Sequence, residues 1–453
     1  MAAKDLSASG VLFTDRRNFY IDPQVVKELW TDVTPFTTVI ANKETRNVPD
    51  PVFKMFEHKQ PWVKQSFTSG TNVANATDGT ESGAMDVANI VGLPACNASW
   101  LGLEVECWDS TETTKRGVGI VTTVTDSDTI EFTPVGGAID VASGDVFHVI
   151  GNAHGEGGYS PEAWSDELKV VYNSCQIFKN PLEITGTLLE AALRGESSEL
   201  ARLRMQKSQE HKIQKERAFL FGKRLGGTGL QDSAQSDGYN DSSALGESFA
   251  DGGINGAAVG SIATPAGSGA GKVRTTYGIV SAIEAYGEAT TTNDYQNIFS
   301  CSEASYTYSN FVDDMEKVFQ YVPTSGVKKA FVGAGALGYW SKMAGNAGFA
   351  GNNGWSVNLG DMKRDALGFN YRTLETPHGM LQMIPTPALR GPYNKYMLVV
   401  DDDNLFHSQY RASMYQTNIK TDNAYDGVKD QYMSDEGIGI TNINSHSLIK
   451  ITA

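Results

Sequence analysis

The stretch from Ser197 to Gly222, SSELARLRMQKSQEHKIQKERAFLFG, limits most sharply what this chain can become. Ser197 or Ser198 can cap a helix start by accepting a backbone N–H that helix geometry leaves unpaired, and Glu199 suits the positive end of the macrodipole. Gly222 and the Gly226-Gly227 pair end it. About 24 residues at ~1.5 Å each make a rod of roughly 36 Å, long for a globular helix. Leu200, Leu203, Ile213, Phe219, Leu220 and Phe221 gather toward its two ends, and Arg204 to Lys212 is polar almost all round apart from Met205. A helix with so little apolar face bridges other parts or lies along a surface, so the pattern predicts a strut in a thin layer.

A chain of 453 residues can hold two or three domain-sized units, and 40% hydrophobic residues suffice for real cores. No run of about 18 apolar residues occurs, which predicts no membrane span, and MAAKDLSASG offers no apolar core for export. Cys96, Cys107, Cys175 and Cys301 lie far apart without a CxxC pair, which predicts free thiols in a reducing compartment. A net charge of −16 argues against a dedicated nucleic-acid binder. The strut departs from that average: Arg202, Arg204, Lys207, Lys212, Lys215 and Arg217 stand against Glu199, Glu210 and Glu216. Either this is a solvated face laced by pairs such as Lys212 with Glu216, or it looks at a polyanion.

Residues 1 to about 70 read as an extended arm with one short helix, QVVKELW, opened by Asp22-Pro23 and closed by Thr34-Pro35. Pro49, Pro51 and Pro61 punctuate VPDPVFKMFEHKQPW, and Phe53, Phe56 and Trp62 there have no core of their own. Residues 66 to 88 are small and polar, as in an exposed excursion. From 93 to 151, LGLEVECW, VGIVTTV, DTIEF and DVFHVIG predict a β-module of about five strands, which interrupts a hairpin between residues near 90 and near 152. Beyond the strut, residues 226 to 272 are Gly, Ser, Ala and Asp and cannot bury enough surface to fold alone. TYGIVSAIEAY reads as strand or helix. YSNFVDDMEKVFQYV predicts an amphipathic helix, KKAFVGAG a strand, LGYWSKMA a short helix, and GMLQMIPT, YMLVVD and SLIKIT further strands. The fold class that follows is α+β.

Few residues suggest chemistry. Gly333, Gly335 and Gly338 fit GxGxxG, but no second parallel strand with an acid about 20 residues on completes a dinucleotide unit, so a tight, closely packed turn is expected. Asp401-Asp402-Asp403-Asn404 lacks the Gly and Glu of a calcium loop and reads as a strand end with solvated carboxylates. The seven histidines show no metal-ligand spacing, and His211 is expected on the strut surface. No catalytic, cofactor or metal residue is assigned.

Val33-Thr34-Pro35-Phe36, NVPDPVF, VFHVIGNAHGEG, QIFKNPLEITGT and ELARLRMQKSQEHKIQKERAFLFG carry a resemblance, together with the order of elements. The chain resembles the major capsid proteins of tailed double-stranded DNA bacteriophages with the Hong Kong 97-type fold, in a branch with a β-module in the extended loop. That resemblance implies an N-arm at 1–60 and an extended loop at 61–180 containing the module at 95–150. It implies a peripheral domain at 181–225 and 401–453 with a spine helix at 198–222, an insertion at 226–272, and an axial domain at 273–400. It further implies hexamers and pentamers of an icosahedral shell around DNA, a place in the virion after assembly in the host bacterial cytoplasm, and portal, scaffolding and decoration proteins as partners. Arg204, Lys207, Lys212 and Lys215 would face DNA, and Phe53, Phe56 and Trp62 would be inter-subunit arm contacts. Some relatives join subunits by a Lys–Asn bond, for which Lys59 and Lys64 come into consideration. An encapsulin shell enclosing protein cargo and an exported adhesin or carbohydrate-binding protein are the competing readings.

Overall fold

The computed structural model describes residues 34–57, 65–76, 84–158, 161–163, 169–190, 199–223, 274–287, 289, 296–321, 326–345, 363–364, 370–419 and 426–452. The expected QVVKELW helix, the Gly/Ser-rich stretch 226–272, Trp62, Lys59 and Lys64 lie outside them. The chain forms two units, one of residues 1–55 and 170–453, the other of residues 56–169.

The smaller unit is a closed barrel of six strands in the order Val146–Asn152, Ser66–Ser69, Met85–Val91, Thr129–Val135, Lys115–Val124 and Leu103–Trp108, the last pairing with the first. Alternation puts Val105, Cys107, Ile130, Phe132 and Phe147 inside, as a period of two requires. Phe67 stacks on Phe147 at 5.1 Å and meets Trp100 at 5.1 Å, so an aromatic cluster fills the lumen. The stretch 66–88, expected as an exposed excursion, supplies two barrel strands instead, with Phe67 and Met85 fully buried. Phe67 stands between Ser66 and Thr68, whose hydroxyl bonds the Ala88 carbonyl, and Met85 and Val87 stand among Ala84, Asp86 and Ala88, so small or polar neighbours hide the alternation. The barrel's strands therefore begin at Ser66 rather than near 93.

In the larger unit a seven-stranded mixed sheet runs Ile298–Ser302, Ser447–Thr452, Tyr396–Val400, Val327–Val332, Gly379–Pro385, Asn370–Thr376 and Lys363–Arg364. The helix Tyr308–Val318 covers it with Phe311, Met315 and Val318, and Thr307 caps its start by accepting the Asn310 N–H. Lys328, 1% exposed, caps its other end by donating to the Val318 and Ser445 carbonyls at 2.8 Å each. TYGIVSAIEAY resolves as a helix, Ile279–Tyr286.

A second, four-stranded sheet runs Thr45–Asn47, Leu405–Gln416, Gly427–Ile440 and Gln176–Thr185. The spine helix, Glu199–Phe221, packs against its last two strands. Thr34-Pro35, expected to close a helix, opens one: Pro35–Lys43 starts with proline in its first turn, where the fixed φ is favourable and no N–H is missed. This arm helix buries Phe36, Val39 and Ile40 in the main core, and Phe36 meets Phe331 edge-on at 5.0 Å.

Replacing Phe147 by Ala removes the centre of the barrel's aromatic cluster and is expected to cost about 3–5 kcal/mol. Hydrogen exchange should show the loss as faster amide exchange in Ser66–Ser69, Leu103–Trp108 and Val146–Asn152.

Candidate functional site

The seam between the spine helix and the four-stranded sheet concentrates the ionisable chemistry of the larger unit. On the edge strand Gln176–Thr185, Phe178, Asn180, Leu182 and Ile184 are buried and alternate with exposed Lys179, Pro181 and Glu183. On the neighbouring strand Gly427–Ile440, Asp430, Ser434, Asp435 and Glu436 are all buried. Arg204 of the helix donates to Asp430 at 2.9 Å, Lys215 to Glu436 at 3.0 Å, and His211 bridges Asn180 at 2.7 Å and Ser434 at 3.0 Å. Arg274 and Arg411 reach Asp435 at 3.1 and 3.4 Å, and His407 reaches Glu436 at 3.1 Å. Tyr415 and the Asn418 N–H complete the shell around Asp430, and the Ser413 hydroxyl donates to Glu436.

Burial alone would raise the Glu436 carboxyl, but the His407 hydrogen bond, the Lys215 and His407 charges and Ser413 outweigh it and hold it at about 2. Asp430 is held low in the same way, with Tyr415, the Asn418 N–H and Arg204 outweighing burial. His211 moves down to about 4, first because it is buried and then because Lys215 lies near, so it is neutral at pH 7. Glu216, 1% exposed, is the exception: burial pushes it up to about 8, and the Thr37 N–H at 3.3 Å only partly offsets that.

The structure divides the residues assigned from sequence. Lys215, 12% exposed, turns inward onto Glu436, and Arg204 onto Asp430, so both charges are matched within the chain. Lys207 pairs with Glu210 one turn on at 2.7 Å while staying partly exposed, and Lys212 is exposed. Phe53, expected as an inter-subunit contact, is 7% exposed and packs at 6.1 Å from Phe406 in the chain's own core. The alternation of the Val52–Glu57 strand places Phe53 and Met55 inside and leaves Phe56 71% exposed.

His211, expected on the surface, is 3% exposed. Gly333 and Gly335 mark a close approach: a Cβ at Gly333 would lie 2.3 Å from the Asn394 carbonyl oxygen, and Gly335 donates its N–H to the Asn394 side chain. Of the carboxylates at 401–403, expected to be solvated, Asp403 is exposed, Asp402 is half-buried and Asp401 is buried, and all three have partners. Asp401 accepts the Asp403 N–H, Asp402 pairs with Lys329, and Asp403 pairs with Lys43.

The family profile described as "SU10 major capsid protein" matches residues 21–239 and 252–453. The chain belongs to the SU10 major capsid protein family. The match covers all of the smaller unit of this capsid protein and all of the larger one except residues 1–20 and 240–251, the second gap falling within the Gly/Ser-rich stretch. No match is found among curated proteins. Among solved structures it is similar to the capsid of the empty GTA particle (9% identity, TM-score 0.45, 99% of both chains) and of the native GTA particle (8%, 0.42, 99% of both). Mycobacterium phage Bobi follows at 10% identity and TM-score 0.40, covering 99% of this chain and 100% of that one.

In this capsid protein the seam was missed because its stripe is polar. Arg204, His211, Lys215 and Phe219 recur at intervals of seven, four and four, a helix face whose signal lies in spacing and not in hydrophobicity. Two measurements check it. Lys215→Met leaves Glu436 buried without its ammonium and is expected to cost about 3 kcal/mol in chemical denaturation. Glu216 gives the opposite case: with a raised folded-state value, its stabilising protonated form is fully present below the ordinary glutamate range and lost as pH rises through about 8. Glu216→Gln should therefore flatten the fall in thermal midpoint between pH 5 and 9 and raise the midpoint at the alkaline end.

Proposed function

We propose that copies of this chain assemble as pentamers and hexamers into a closed icosahedral shell that encloses double-stranded DNA. The observation that carries this reading is the capsid-family match across both units of the chain. The role is structural, with no reaction of its own. The shell forms in the host bacterial cytoplasm around scaffolding and portal partners, becomes part of the virion, and offers its outside to decoration proteins. Residues 1–60 act as the arm, 61–180 as the extended loop, 181–225 and 401–453 as the peripheral domain, and 273–400 as the axial domain.

Exposed apolar side chains support self-association. Phe56, Met205, Ile177, Tyr410 and Met414 are 71%, 52%, 39%, 42% and 38% exposed, which neighbouring copies would cover. The DNA-facing role falls on Lys207 and Lys212, with Arg217 beside them, because all three keep solvent access. Arg204 and Lys215 contribute by holding the helix in place. Non-specific backbone contact needs only such scattered cations.

Electron microscopy of the purified chain, with nucleic-acid analysis of the particles, tests the shell reading. Closed particles containing DNA are expected; particles filled with protein cargo would assign an encapsulin, and a permanent monomer would overturn assembly altogether. The double variant Lys207→Gln/Lys212→Gln should reduce packaged DNA while leaving subunit stability within about 0.5 kcal/mol. Lys215→Gln should instead lower subunit stability before any packaging is measured.

A further inference from the structure

In the larger unit the spine helix ends beside a cleft of about 780 Å³. Its walls are apolar, with Ile213 and Phe221 of the helix joined by Pro387, Ala388 and Tyr393. The Phe221 and Tyr393 rings stack with centroids 4.2 Å apart, so this wall is preformed. The rim is basic: Arg217, Lys223 and Arg390 are exposed and have no acidic partner among the described residues.

A short turn elsewhere in the same unit has the complementary character. Gly186–Glu190 forms a helix, GTLLE, in which no side chain is buried. Leu188 and Leu189 are each 39% exposed, and Glu190 beside them is exposed without a cationic partner among the described residues. The turn is nonetheless fixed in place, because it continues the strand Gln176–Thr185 and Gly186 donates its N–H to the Asp426 carbonyl at 3.2 Å. Adjacent exposed leucines on an anchored turn make an apolar knob with an acidic tip.

Knob and cleft stand at opposite ends of one strand. Gln176 lines the cleft, the strand runs to Thr185, and the knob follows directly. At ~3.4 Å per residue the strand holds the two roughly 30 Å apart, so a single chain cannot bring them together. A second copy can.

We propose that the Leu188-Leu189-Glu190 knob of one copy seats in the cleft of the next, with the leucines between Phe221, Tyr393 and Ala388 and Glu190 against Lys223 and Arg390. The contact is head-to-tail: every copy offers one knob and one cleft, so a run of copies is completed only by closing into a ring. This rests on the proposed self-assembly and adds the surface through which it occurs. Charge selects the pairing. Copies with a net charge of −16 repel one another over most of their surface, and here an acidic group of one meets free cations of the other.

Sedimentation velocity and electron microscopy of the full chain and its variants test the contact. Leu188→Ser/Leu189→Ser and, separately, Lys223→Glu/Arg390→Glu should each raise the concentration at which particles appear about tenfold, with the thermal midpoint of dispersed subunits unchanged. Adding Glu190→Lys to the rim reversal should recover assembly, an outcome that general damage to the fold would not produce. For a direct readout, Leu189→Cys and Ala388→Cys are made in separate chains, mixed, assembled and oxidised with copper phenanthroline. A disulfide-linked dimer should appear only when both chains are present, since the four native cysteines are buried. Variants that assemble like the native chain, or particles that yield no linked dimer, would overturn this contact and leave the shell reading standing; a native chain that never assembles would overturn both. A rim reversal that lowers the midpoint of dispersed subunits would also overturn it, by assigning those cations to the chain's own fold.

Discussion

Three carboxylates buried on one strand set the terms for the larger unit. Asp430, Asp435 and Glu436 are each at most 1% exposed, and a carboxylate taken out of water costs several kcal/mol unless a partner and hydrogen bonds meet it. The partners come from separate parts of the chain: Arg204 and Lys215 from the spine helix, Arg274 from the segment after the Gly-rich stretch, and His407 and Arg411 from the adjacent strand. The order of contacts follows from geometry. Arg204 to Lys215 spans about 16 Å of helix at ~1.5 Å per residue, and Asp430 to Glu436 spans about 20 Å of strand at ~3.4 Å. Helix and strand are nearly commensurate over this distance, so Arg204, His211 and Lys215 meet Asp430, Ser434 and Glu436 in sequence. Residues 430, 434 and 436 share one face of the strand, and Asp435 points to the other, where Arg274 and Arg411 wait. A one-residue slip would bury every charge without its partner.

This explains how a helix that is polar almost throughout can be part of a stable fold. Apolar burial anchors it only at its C-terminal end, through Phe219 and Leu220. Along the rest, matched polar groups do what a leucine stripe does elsewhere, with less net stabilisation and more demand on position. The barrel relies on the opposite principle. Phe67, Trp100, Phe132 and Phe147 fill it by non-directional burial, and its strands tolerate polar exteriors because the lumen supplies the stability.

The same contrast decides which parts could be read from the amino-acid sequence. Elements with one-sided apolar periodicity were legible: the helix at Tyr308–Val318 through Phe311, Met315 and Val318, and the strands Val327–Val332 and Tyr396–Val400 as short apolar runs. The strand Gly427–Ile440 was not, because KDQYMSDEG carries its buried residues as acids that look like loop until their cations are known. The barrel's first strands were hidden by small polar flanks, and Pro35 opened a helix where it read as a stop. For the site, residue types were legible and directions were not. Arg204 and Lys215 were seen as cations, but that they face inward depends on acids more than 200 residues away in the chain.

For a capsid protein the inward pairing has a consequence at the level of the whole subunit. With a formal net charge of −16, copies repel one another through water, and the repulsion is screened only over about a Debye length. Cations spent on the seam do not relieve that repulsion at the surface. Association must then draw on apolar contact, for which Phe56, Tyr410 and Met414 are available, and on salt, which weakens the repulsion without touching the buried pairs. Surface and seam thus respond oppositely to their surroundings: ionic strength modulates how copies meet, while the pairs that shape each copy stay nearly insensitive to it. A subunit built this way can change its neighbours without changing its own fold.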